Sequence, residues 1–183
     1  MNRTDPIAPA PAPVALNAAQ RFEREALPHL NDLVRTASRM MGDRGRAEDV
    51  VQDVFLQAWK SFGRFETGTN CRAWLYKILF HCVQHYRRKW FRFAVMQPMD
   101  DYTEATAAYT PPIPEHLTDE DLLAALAQIP ADFRAVLLLV DVEEFAYREA
   151  AEILQVPIGT VMSRVSRGRR LLREALGGKE SGR

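Results

Sequence analysis

Cysteine is scarce in these 183 residues. Cys71 and Cys82 form no CxxC pair and leave no disulfide framework, which fits a chain kept in a reducing cytosol. Long apolar runs are missing as well. The most apolar stretch, 137–140, is bounded by Asp132, Arg134 and Asp141, far short of the roughly 18 residues that span a bilayer. The first 16 residues carry one Arg, one Asp and Pro6, Pro9, Pro11 and Pro13, so they lack the basic start and apolar block of a secretion signal and read as a disordered tail. No stretch alternates as a strand does. Net charge is zero, with 24 basic and 24 acidic residues. Collagen-like, wholly disordered and membrane-spanning classes are excluded, and a soluble protein is expected.

The zero conceals a strong division of charge. Between 61 and 93 stand Arg64, Arg72, Lys77, Arg87, Arg88, Lys89 and Arg92 against Glu66 alone, a net of plus six. Between 94 and 121 every charge is acidic: Asp100, Asp101, Glu104, Glu115, Asp119, Glu120 and Asp121, minus seven. Between 160 and 183, seven bases stand against Glu174 and Glu180, plus five. Two basic surfaces flanking an acidic segment suit a polyanion that is neutralised at two places and repelled between them. Solvated helix faces would give the same counts.

Apolar periodicity divides the chain further. Phe22, Leu27, Leu30, Leu33, Val34 and Ala37 recur at three and four residues, with Pro28 as a break and Gly42 as a stop. Val50, Val51, Val54, Phe55, Ala58, Trp59 and Phe62 define a helix over about 47–62, and Trp74, Leu75, Ile78, Leu79, Cys82, Val83 and Tyr86 one from about Asn70. Pro98, Pro111, Pro112 and Pro114 end the periodicity. Thr118 and Asp121 have capping-box spacing before a second set of helices. There, Ala150 and Ala151 on a short helix, a break at 155–157, and Val161, Val165, Gly168 and Leu172 on the next helix have the layout of a helix-turn-helix. The outer face of that last helix shows Ser163, Arg164, Arg167 and Arg170, as a DNA recognition helix would. Ala146 stands where Ser or Thr would cap the short helix, and Gln155 where Gly would ease a left-handed turn.

The expected fold is therefore all-α. It has a disordered tail at 1–18, a three- to four-helix domain at 19–93, a flexible acidic linker at 94–117, a helix-turn-helix domain at 118–178 and a short tail at 179–183.

Four segments, AEDVVQDVF at 47–55, GTNCRAWLYKIL at 68–79, YREAAEIL at 147–154 and GTVMSR at 159–164, resemble the extracytoplasmic-function (ECF, group IV) sigma factors of the sigma-70 family. The resemblance runs from about Ala19 to Leu176. It implies a promoter-directing initiation factor of bacterial RNA polymerase rather than an enzyme, with no cofactor and no metal. It further implies a sigma-2-like domain whose Asp49, Gln52, Asp53 and Phe55 dock on the polymerase clamp. Phe65, Asn70, Arg72, Trp74, Lys77, His81, Arg88 and Lys89 would bind and melt the minus-10 element, aromatic and basic groups together holding an unstacked base and its backbone. Trp74 would support that pocket from the core. A sigma-4-like domain would read the minus-35 element through Met162, Ser163, Ser166 and Arg167, with Arg164, Arg169 and Arg170 on the DNA backbone and the helix start at Thr160 seating a phosphate.

At 81 the family usually has Asn. Imidazole as a class donates and accepts too, but it is larger and titrates near neutral pH, so minus-10 base preference is where this chain departs from the pattern. The resemblance also implies contacts to the polymerase flap, a linker near the polymerase active centre, control by an anti-sigma factor under stress, and a cytoplasmic location, at the nucleoid when in holoenzyme. The Gly68-Thr69-Asn70 loop resembles the subgroup paired with zinc-containing anti-sigma factors. Free protein is expected to be a monomer whose domains move about the linker. Two other classes account for parts of the sequence. A one-component helix-turn-helix repressor leaves Asp49, Gln52, Asp53 and the 68–79 segment unexplained. A zinc or redox sensor would use His81, Cys82 and His85.

Overall fold

The computed structural model describes residues 17–66, 68–91 and 118–177, with side chains as far as residue 88 in the second stretch. The linker expected at 94–117, most of the Pro-rich tail and the tail at 179–183 lie outside these residues. Every described element is helical: α1 (Ala18–Ala26), a 3-10 turn (Leu27–His29), α2 (Leu30–Met41), α3 (Arg44–Ser61), a second 3-10 turn (Phe62–Arg64), α4 (Cys71–Phe91), α5 (Asp119–Gln128), α6 (Ala131–Leu137), a π turn (Leu138–Val142), α7 (Tyr147–Leu154) and α8 (Ile158–Gly177).

Local chemistry sets most boundaries. Asn17 caps α1 by accepting from the Gln20 amide at 2.9 Å, while the Gln20 side chain accepts from the Asn17 amide. Asn17 and Ala18, which the expected tail at 1–18 includes, thus belong to this cap and helix. Pro28 sits in the first 3-10 turn and separates α1 from α2. Gly42 ends α2 at φ 69°, and Asp43 caps α3 through the Arg46 amide. Thr118 and Asp121 close the capping box the spacing predicts. At Ala146 only half of such a box exists: the backbone amide donates to Glu149 Oε2 at 3.0 Å, and no side chain covers the other end. Gln155 adopts the left-handed turn itself, at φ 55°.

In the first domain α2, α3 and α4 enclose Leu33, Ala37, Val50, Val54, Ala58, Leu75, Leu79 and Val83, all essentially inaccessible. Burying each of the larger aliphatic side chains contributes about 1.5–3 kcal/mol as an upper estimate. One end is finished by rings: Phe22 meets Phe62 edge to face at 5.1 Å, and Phe65 stacks on Phe62 at 5.7 Å. In the second domain α6, the π turn, α7 and α8 bury Val136, Leu137, Leu138, Leu139, Ala150, Ile153, Val161 and Val165.

The two domains are in contact. α5 and α6 lie against α2, and α7 lies against α4. Arg134 of α6 donates to the carbonyls of Met40 at 3.1 Å and, within its own domain, of Ala127 at 2.7 Å and Ile129 at 2.9 Å. One cation thus covers the carbonyl ends of α2 and α5, where the helix dipole favours positive charge. Burial lowers its pKa from the usual arginine range.

Gly168 is where α8 crosses α6. A Cβ there would lie 3.1 Å from Leu137 Cγ and 3.2 Å from its Cδ1. Gly168→Val is expected to destabilise the protein by about 1–3 kcal/mol through overpacking, read as a lower urea midpoint at unchanged helix content.

Candidate nucleic-acid interface

α3 turns Asp49, Gln52 and Asp53 to solvent on one side of the helix. Phe55 does not join them. It is half-buried and meets Phe22 edge to face at 6.1 Å, so much of its area is spent inside the domain. Leu56 and Trp59, 56% and 47% exposed, supply the apolar surface beside the acids. Their spacing from Asp49, Gln52 and Asp53 carried that signal, which sequence reasoning assigned to Phe55.

The minus-10 candidates gather on and around α4. Gly68 makes the preceding loop turn at φ 91°, and Asn70 caps the helix, accepting from the Ala73 amide at 3.0 Å. Phe65 and Trp74 are half-buried and 4.8 Å apart, which joins them to the aromatic cluster and makes Trp74 a wall rather than a free platform. Lys77, His81 and Arg88 are exposed on α4, while the Lys89 side chain lies outside the described residues. A groove of about 320 Å³ runs between α4 and α7, lined by Trp74, Lys77 and His81 on one side and Ile153, Leu154 and Gln155 on the other.

Arg72 faces a residue the sequence did not single out. Its guanidinium donates to Glu143 Oε2 at 2.6 Å and lies 4.2 Å from the Phe145 ring centre. Thr36 donates to the other carboxylate oxygen at 2.7 Å. Glu143 is 7% exposed and reaches this position because the π turn, closed by its amide on the Leu138 carbonyl at 2.9 Å, is followed by Glu144 at φ 55°. Tyr76 packs edge to face on Phe145 at 5.0 Å, and burial pushes its phenol pKa well above the usual range. His29 is shifted down by burial and by the neighbouring Arg72 charge.

On α8 the candidate reading face is narrower than the basic count implies. Met162, Ser163, Ser166 and Arg167 are exposed. Arg164 pairs instead with Asp132 at 2.8 Å, and Arg169 holds Asp141 with two bonds, at 2.6 and 3.1 Å, which raises its pKa further. These two turn back to their own domain. Arg170 lies 3.7 Å from Glu174. α8 starts at Ile158, two residues ahead of the expected start, and the Thr160 amide donates to the Pro157 carbonyl at 2.9 Å. The Thr160 backbone amide is thus engaged within the helix start.

Comparison with known proteins assigns both halves. The model for sigma-70 region 2 matches residues 27–92 and that for sigma-70 region 4 matches 119–172. The ECF RNA polymerase sigma factor EcfG of Rhodopseudomonas palustris is 35% identical over 133 residues, 73% of this chain and 72% of that protein. The chain belongs to the ECF sigma factors. SigE of Mycolicibacterium smegmatis, 33% identical, covers 81% of this sigma factor, which spans only 58% of that longer relative. The sigma factor RpoE of Bartonella quintana, solved with the anti-sigma factor NepR, superposes with a TM-score of 0.70 at 34% identity, covering 89% of this chain and 99% of that one. Sigma factors are initiation factors and not enzymes. No described helix of this one is long and apolar enough to cross a membrane.

The thiols have no part in this geometry. Burial pushes Cys71 and Cys82 each up to about 11, with Glu25 and Asp53 adding to the shift at the respective sites. At pH 8 each is roughly 0.1% thiolate. Labelling of native protein by a maleimide is expected to be at least tenfold slower than that of a free thiol peptide and to accelerate towards pH 10; fast labelling at pH 7 would restore the redox-sensor reading.

Proposed function

We propose that this chain is an alternative sigma factor that directs core RNA polymerase to its own promoters. The observation that carries this is the pairing of sigma-70 region 2 and region 4 matches, in order, with exposed polar faces on α3 and α8. Asp49, Gln52 and Asp53, with Leu56 and Trp59 as apolar anchors, dock on the polymerase clamp. α4 and its preceding loop hold the opened minus-10 strand: Lys77, Arg88, Lys89 and Arg72 take the backbone, and Trp74 and Phe65 wall the space for an extruded base beside His81. On α8, Ser163 and Arg167 read base edges, and Met162 and Ser166 contribute fit at the minus-35 element. The second domain also meets the polymerase flap. Acting with polymerase places the protein in the cytoplasm.

Control by an anti-sigma factor belongs to the same reading. It is supported by the Bartonella relative solved with NepR, and the fold is shared with CnrH, solved with the cytosolic domain of CnrY at 23% identity and a TM-score of 0.55.

Run-off transcription with bacterial core polymerase on a genomic fragment pool tests the proposal. New start sites are expected only when the protein is present. Asp53→Arg should abolish them at every promoter, whereas Arg167→Ala should weaken them about 5- to 150-fold and relax the upstream preference. Absence of any protein-dependent start would reject the assignment. His81→Asn is expected to reorder promoter strengths on the same pool; an unchanged ranking would remove His81 from base selection.

A further inference from the structure

Two donors of the proposed minus-10 surface are already occupied, and both occupants come from the second domain. Arg72 is held by Glu143 at 2.6 Å, and Asn70 Nδ2 donates to Glu149 Oε1 at 2.9 Å. A carboxylate offers these donors the same acceptor chemistry as a phosphate oxygen. Above them α7 lies along α4, and its Ile153, Leu154 and Gln155 face Trp74, Lys77 and His81 across the groove. A strand laid on that side of α4 would meet α7.

We propose that the free sigma factor holds itself closed, with Glu143 and Glu149 acting as an internal stand-in for promoter DNA on Arg72 and Asn70. This rests on the reading of α4 as a DNA-binding surface. The closed form is specific rather than a loose collapse. Glu143 bonds both Thr36 and Arg72, and Arg72 lies over the rings of Phe145 and Tyr76, 4.2 and 5.1 Å from their centres. Glu143 lies 71 positions from Arg72 and 107 from Thr36, so nothing local brings it to either. Glu143 finds no side-chain partner in its own domain among the described residues; the pair serves the junction and not the folding of either half. Elements 25 base pairs apart, as the names minus-10 and minus-35 state, are separated by about 85 Å of duplex, against a radius of gyration of roughly 16 Å for a compact chain of this length. Occupying both therefore requires the junction to open, and its glutamates return when the DNA leaves.

The test uses the full-length chain without polymerase, a fluorescent pool of random 20-nucleotide single strands, and small-angle X-ray scattering. Glu143→Ala with Glu149→Ala is expected to raise affinity for the pool about tenfold or more, as the binding-competent fraction grows, and to enlarge the radius of gyration. Glu143→Gln with Glu149→Gln, which keeps side-chain shape, should move both readouts the same way, and helix content should stay that of the parent. Affinity unchanged in both double variants would overturn the proposal, whether or not the molecule expands, because the glutamates would then not compete with DNA. A parent already as extended as the variants would overturn it too. Failure of the sigma-factor assignment is a separate result: no protein-dependent start sites in run-off transcription, with the gain in strand affinity still present.

Discussion

Glu143 is a carboxylate buried among the side chains of a domain other than its own. An ion taken out of water costs several kcal/mol unless its partners restore what water gave, and here they are Thr36 and Arg72, both in the first domain. The cost and the remedy thus lie on opposite sides of the junction. Neither half can be rearranged alone without leaving a charge uncompensated, which makes the junction two-state: fully made, or separated with both ions hydrated. Arg134 also crosses the junction to the Met40 carbonyl but keeps its bonds to Ala127 and Ile129 in its own domain, and Tyr76 packs on Phe145 across the same junction.

The π turn is the device that delivers this carboxylate. An α-helical continuation of α6 would have rotated the following residues by 100° each. Widening the turn over Leu138–Val142 and reversing at Glu144 places Glu143 and Phe145 together towards α2 and α4. The apolar run before it stays inaccessible, and the acid emerges beside the Arg72 guanidinium.

Much of this fold was legible in the sequence because its causes are local. Pro28, Gly42 and the Thr118 and Asp121 pair each act within a turn of where they stand, and the helix-turn-helix showed itself through Ala150, Ala151 and Gly168, small because another helix crosses them. What escaped notice depends on rotation or on distance along the chain. Phe55 and Leu56 are neighbours, and 100° of helix decides which is inside; the aromatic ring went to Phe22 and the leucine to water. Arg164 and Arg169 looked like DNA contacts by count, but Asp132 and Asp141, 32 and 28 positions away, claim them. Glu143 had no periodicity to betray it.

The two exposed faces of the first domain are treated unequally. α7, with Glu149 on it and Glu143 ahead of it, roofs the α4 side, whereas Asp49, Gln52, Asp53, Leu56 and Trp59 on α3 stay open to solvent in the same closed molecule. On the functions proposed for these faces, the enzyme and the template do not meet the protein in arbitrary order. Polymerase finds its landing site without waiting, and the template must wait for the roof to lift. Such a factor, made in excess, would queue at the polymerase instead of wandering the chromosome, and competition among rival factors would be settled before any promoter is read.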